Sequence, residues 1–289
     1  MSGSCVPSRQ RGSLLLGMLL ATALGALVTA WALSSLAQAD QSARSAARML
    51  ERRQQAAWAL RLLARDVARH RRFGCVSQLW TAQDFADGHW TLSLPGRHLA
   101  HGQLALDAQH KLSSMALLPE AQAGAAAWPQ SVLSSCAGMV ALTAASAQWL
   151  GGSGSPSLQL TPPLLVQATD QAEGLHAPSL QLWLPLERHY QLSGGRLRVW
   201  ERLGGLSAGE PRVLLDGVAG IKLLLQVRAG CADGDGWRWL APSALTAETA
   251  KRVGGARLEL AWRPRADQAT AEVLSREQAL TPLGCGGET

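Results

Sequence analysis

Between Gly12 and Ala39 the chain carries no charged residue, and this run constrains the fold more than any other feature. It is rich in Leu and Ala, with small residues throughout. As a helix it would be about 40 Å long, and about twenty apolar residues suffice to cross a bilayer core. A short leader with Arg9 and Arg11 precedes it. Three readings stand. A secretory signal would be cut at the small-x-small site Ala37-Gln38-Ala39, with Asp40 as the new terminus, although the apolar stretch is about twice the length of a usual signal core. A plain anchor meets a difficulty of orientation, because more arginine follows the run than precedes it. The third reading is one continuous helix. No Gly or Pro occurs between Ser42 and Phe73, and Ala, Arg, Gln and Leu fill the segment.

On that helix Arg44, Arg48 and Arg52 recur every fourth residue, followed by Arg61, Arg65, Arg69 and Arg72. Ala43, Ala47, Leu50, Ala57, Leu60, Ala64 and Val67 are expected to share an apolar side. The arginine stripe reads as a solvated face, with acidic neighbours or lipid headgroups as the alternative. It also explains the charge. The net charge is +6, of which Arg9 and Arg11 supply +2; nine arginines and three acids between Asp40 and Arg72 supply another +6, so the chain from Phe73 onward sums to −2. A basic segment beside an apolar run points to a membrane surface or an assembly partner, and no nucleic-acid partner is expected.

With 289 residues, 47% of them apolar and only 17% charged, the chain has enough apolar material for a sizeable core and too little charge for a disordered one. Eleven tryptophans against two phenylalanines and one tyrosine suit sheet faces and interfaces. Strand-like runs cover residues 89–94, 179–184, 196–202, 220–228 and 256–262. Ser193-Gly194-Gly195 between two of them reads as a hairpin turn. Residues 151–156 read as a loop between two sub-sheets, and residues 121–127 as a short helix or Ala-rich loop. The expected fold is α+β, a long N-terminal helix packed along an antiparallel sheet.

Removing the leader with Cys5 leaves Cys75, Cys136, Cys231 and Cys285. An even count in an exported body implies two disulfides, with three connectivities open. The favoured pairing is sequential, Cys75 with Cys136 and Cys231 with Cys285, because it staples each half; four free thiols are the alternative. Chemistry-bearing motifs are sparse. His98 and His101 lack the Glu of a helical zinc-protease motif and read as surface loop histidines. Ser153 lacks the nucleophile-elbow pattern. Asp233 and Asp235 are weak calcium candidates without the remaining ligands of an EF-hand loop. No enzyme, cofactor or metal is expected.

A basic leader, a glycine, an apolar helix and an amphipathic extension together resemble the type IV pilin-like proteins, in detail the PilW-type minor pilins. Trp58-Ala59-Leu60-Arg61-Leu62-Leu63-Ala64-Arg65-Asp66-Val67, then Phe73-Gly74-Cys75, is similar to that family's helix end and first cysteine. Residues 195–202, 214–218 and 221–223 resemble its strand pair, residues 233–236 its acidic turn, and Val253 to Trp262 its last sheet strand. The resemblance implies cleavage after Gly12 by prepilin peptidase, with Ser13 as the new terminus. The family has Phe where this chain has Ser13, and Glu where it has Gly17. A carboxylate inside an apolar helix needs a buried cation to pair with, which in pilins is the free amine of an adjacent subunit. A subunit without it suits a filament tip, with no subunit above.

The implied layout is a leader over residues 1–12, a membrane or filament-core helix over 13–39, an amphipathic extension over 40–72 and a periplasmic β-rich body over 73–289. The implied role is initiating, priming or capping a type IV pilus from the bacterial inner membrane. Its partners would be other minor and major pilins and the pilus assembly platform; methylation and cell adhesion are further implied properties. A J-type minor pseudopilin of type II secretion is the nearest rival. A soluble periplasmic binding domain released after Ala39, with its tryptophans as a sugar platform, is the rival of another class.

Overall fold

The computed structural model describes residues 10–86, 88–101, 104–106, 111–117, 129–136, 138–150, 157–167, 175–176, 179–230, 236–264 and 269–280. It shows one long N-terminal apolar helix followed by a β-sheet body, antiparallel but for one two-residue parallel pairing, an α+β architecture. The chain divides into two units after Gln54.

The helix runs unbroken from Gln10 to Arg69, 60 residues. In the first unit its apolar side chains stand in the open: Leu16, Met18, Leu19, Leu27, Trp31, Leu33 and Leu36 are each about two-thirds exposed or more. It is long and apolar enough to cross a membrane. Thr22 and Thr29 turn their hydroxyls back onto carbonyls one turn earlier, so neither threonine presents a free hydroxyl donor.

In the second unit the last turns of this helix bury Ala56, Ala59, Leu60, Leu63, Ala64 and Val67, spaced as one side of an α-helix. Of the expected apolar side, Leu60, Ala64 and Val67 are buried, whereas Ala43, Ala47 and Leu50 are exposed and Ala57 is half-buried. The physical reasons are that burial begins only at Ala56, in the second unit, and that the buried stripe there also holds Asp66 and His70, polar residues that hide its phase in the sequence. The helix also ends at Arg69 rather than at Arg72. His70 donates its N–H to Val67 O, Arg71 adopts a φ of 56°, and Arg72–Phe73 pair with Val76–Ser77 as a small hairpin.

Three larger sheets make the body. The first is centred on Gln181–Ser193, flanked on one side by His89–His101 and on the other by Arg196–Leu203 along most of its length and Gln130–Ser134 at its start. Gly194 and Gly195, both at positive φ, turn Gln181–Ser193 into Arg196–Leu203, with Ser193 opposite Arg196, as expected from the Ser-Gly-Gly run. The second sheet is four-stranded and antiparallel, in the order Trp237–Leu240, Val218–Arg228, Val253–Trp262, Glu272–Ala279, so the chain crosses over Val218–Arg228 between the edge strand Trp237–Leu240 and Val253–Trp262. Val253–Trp262 is therefore not the last strand. Glu272–Ala279 follows it, mostly exposed, and lacks the apolar alternation that would announce it. The third sheet joins Ser157–Gln167 to Lys111–Ala116, Ala147–Leu150 and Leu175–His176. Residues 151–156 and 121–127 lie outside the described residues, but Leu150 pairs with Ser157, so residues 151–156 connect neighbours in one sheet rather than two sub-sheets.

Two cores result. The helix stripe meets Trp90, Leu92, Leu94, Tyr190, Leu197 and Val199 of the first sheet and Leu223, Leu225, Leu258, Leu260 and Trp262 of the second. A separate core collects Leu99, Leu133, Leu182 and Leu184 with Leu112, Met115, Leu158 and Val166. Burying a Leu or Val side chain contributes roughly 1.5–3 kcal/mol, so the two clusters dominate the body's stability.

Candidate functional site

The polar chemistry of the body gathers where the helix ends. Asp66 sits on the buried face of the helix with no exposed surface. Arg188 and Tyr190, two residues apart and therefore on one side of their strand, reach it from Gln181–Ser193. The Tyr190 hydroxyl donates to Asp66 Oδ2 at 2.5 Å, and Arg188 Nη1 donates to the same oxygen. Glu201, directly opposite Arg188 in the next strand, accepts from its Nε and Nη2 at 3.0 and 2.7 Å. Burial lowers the affinity of Arg188 for its proton, but Asp66 and Glu201 more than reverse this. Burial and the Asp66 charge both push the Tyr190 phenol up. Both groups hold their protons, so the cluster is a fixed-charge clamp between helix and sheet.

A second cluster lies one turn on. His70 is fully buried; its Nδ1 accepts from the Ser93 N–H at 3.0 Å, and its Nε2 lies 3.3 Å from Asp84 Oδ2. Arg71 donates Nη2 to Asp84 Oδ1 at 3.0 Å and Nη1 to Leu79 O at 3.1 Å. Trp80 and Phe85 stand edge-on to the imidazole, each with its ring centre 5.6 Å away. Burial lowers the His70 pKa below its ordinary value against the pull of Asp84. Burial also opposes the Asp84 charge, yet the His70 ring and the Thr81 N–H and hydroxyl outweigh it and hold that carboxyl well below the usual range.

On the opposite face of the first sheet, His189 stacks on Trp200 with ring centres 5.2 Å apart, and His89 lies 5.6 Å from the same indole. Burial, and to a lesser degree His89 and Arg202, lower the His189 pKa against the pull of Glu187.

Of the residues singled out from the sequence, two are brought together among the described residues. Cys75 and Cys136 are joined in a disulfide, with Cα atoms 4.9 Å apart. Cys231, Cys285, Asp233, Asp235 and Ser153 lie outside the described residues. Gly12 and Ser13 fall within the helix, and a side chain at Gly17 would meet nothing within 4 Å. His98 is not on a loop: it lies within strand His89–His101, half-buried, with its ring 4.7 Å from Trp183. Strand pairing with Trp183 displaces it from the surface. Among the described residues no three His, Cys, Asp or Glu converge as a metal site. The Asp66 and His70 clusters were missed from sequence. Their one signal is an acid and a histidine at the spacing of the helix's apolar residues. No protein family, curated protein or solved structure matches this chain.

Proposed function

We propose that this chain is a minor pilin-like subunit of the PilW type, held in the bacterial inner membrane with a periplasmic body, that helps initiate, prime or cap a type IV pilus. The supporting observation is the unbroken helix Gln10–Arg69, apolar and exposed at its start and built into a β-sheet core at its end. Exposed apolar surface on that scale calls for lipid or other apolar helices to cover it. Ala21, Gly25 and Ala32 leave room for close helix approach, and nothing lies within 4 Å of a side chain placed at Gly25. Function on this reading is mechanical and carried by partners: neighbouring pilins, the prepilin peptidase and the assembly platform. Gly17 in place of a carboxylate supports a tip position.

The helix continues without interruption through Ala37-Gln38-Ala39, which supports retention over release at that point. The test is the N-terminal residue and intact mass of the protein from its native host. A start at Ser13 is expected. A start at Asp40 would replace this reading with a soluble periplasmic domain, and an intact Met1 would reduce the helix to a simple anchor.

A further inference from the structure

The side of the helix opposite the buried stripe carries Trp58, Arg61, Arg65 and Arg69, and nothing in the fold uses them as a group. Trp58 is 52% exposed, and Arg61, Arg65 and Arg69 are all exposed. Their internal contacts are few. Arg65 Nε lies 3.6 Å from Asp66 Oδ1, Arg69 Nη2 reaches Pro95 O at 3.4 Å, and Arg61 meets no acid among the described residues. At 1.5 Å rise per residue the three guanidinium groups step along the helix by about 6 Å. Beyond Arg69 the stripe opens into a shallow groove walled by Pro95, Leu186, Leu203 and Leu206, with exposed Arg97 on its rim and one carboxylate, Glu201, whose charge is met by Arg188.

We infer that this stripe docks an acidic helical segment of another protein, one presenting Glu or Asp every fourth residue. Such a segment repeats its carboxylates at the same 6 Å step, and a guanidinium fork receives a carboxylate through two parallel hydrogen bonds. Two observations favour a protein over nucleic acid. Beyond the helix the body carries no net positive charge, since the chain from Phe73 onward sums to −2, whereas nucleic-acid binding spreads its basic field widely. The line also joins an exposed indole to an apolar groove, the mixture of Trp, Arg and aliphatic surface that anchors protein interfaces. The inference stands whether or not the chain is processed as a pilin, since it uses only the body's own surface.

The test uses the full chain in detergent and a synthetic helical peptide of four Glu-Ala-Ala-Ala repeats, with fluorescence anisotropy as the readout. A scrambled peptide of the same composition, a single-stranded oligonucleotide and free glycerophosphoglycerol, the lipid headgroup without its acyl chains, serve as competitors. The repeat peptide is expected to bind at least fivefold tighter than the scrambled one. Its affinity should fall at least tenfold in Arg61→Gln/Arg65→Gln/Arg69→Gln and at least tenfold between 50 and 300 mM salt. Equal binding of both peptides, an unchanged affinity in the triple variant, or tighter binding of oligonucleotide or of the free headgroup would overturn it. Unaltered thermal unfolding of the triple variant excludes misfolding as the cause of a loss.

Discussion

Asp66 is the residue on which the helix's attachment turns. It is buried and receives Tyr190 and Arg188 on one oxygen, so truncating it strands a buried phenol and leaves one edge of the Arg188 guanidinium without its partner. Breaking a buried ion pair from one side costs 3–5 kcal/mol, and because Glu201 still accepts from Arg188, Asp66→Ala is expected to lose about 3 kcal/mol in urea unfolding at pH 7. Tyr190→Phe removes one hydrogen bond and should lose about 1–2 kcal/mol, and the two losses should not add in the double variant. The His70 cluster gives a separate signature in pH. A buried histidine with a depressed pKa binds fewer protons folded than unfolded just below its ordinary value of 6.5, so stability is full above that value and declines as pH falls through it. Asp84, whose carboxyl is depressed, contributes stability that is lost only below its ordinary value of 3.8. Unfolding midpoints measured from pH 7 to 4.5 should fall in the wild type and fall less in His70→Gln. Neither cluster was legible in the sequence, because a polar residue on an apolar stripe looks like solvent until the strand that meets it is known.

At the level of elements, legibility followed local chemistry. Strands flanking Gly194-Gly195 could be read because turn and alternation agree. Gln130–Ser134, Met139–Thr143 and Ala147–Leu150 are too short for alternation to show, and only pairing with their neighbours makes them strands. The long helix was legible from its uncharged apolar run and from the lack of Gly and Pro between Ser42 and Phe73, but its end was not: Arg71 stops it in a left-handed conformation that non-glycine residues rarely adopt, held there by Asp84, Leu79 O and the Ser93 carbonyl. The passage between the first two sheets has a stricter requirement. Gly217, at φ 77°, links Arg212–Asp216 to Val218–Arg228, and a side chain there would come within 2.6 Å of Arg263 O. Gly217→Ala is therefore expected to destabilise by at least 2 kcal/mol in urea unfolding, whereas Gly25→Ala, with empty space around it, should leave the body's unfolding midpoint unchanged.

For the whole molecule, the division of labour within one helix was the plainest message of the sequence, and the two separate cores were the least plain, since which strands share a sheet depends on contacts far apart in the chain. The apolar stretch predicts that the full chain stays in the membrane pellet through an alkaline carbonate wash, and that replacing Leu19, Leu24 and Leu27 with Asp releases it to the supernatant. The Cys75–Cys136 bond has a further consequence, for a molecule under load. Cys75 follows the helix by a few residues, and Cys136 follows a strand of the first sheet, so a pull that strips the helix from its core meets a covalent link soon after the helix ends. The 61-residue separation between the two cysteines is then withheld from extension. Stretched from its ends, the oxidised chain should reach a contour length about 200 Å shorter than the reduced one.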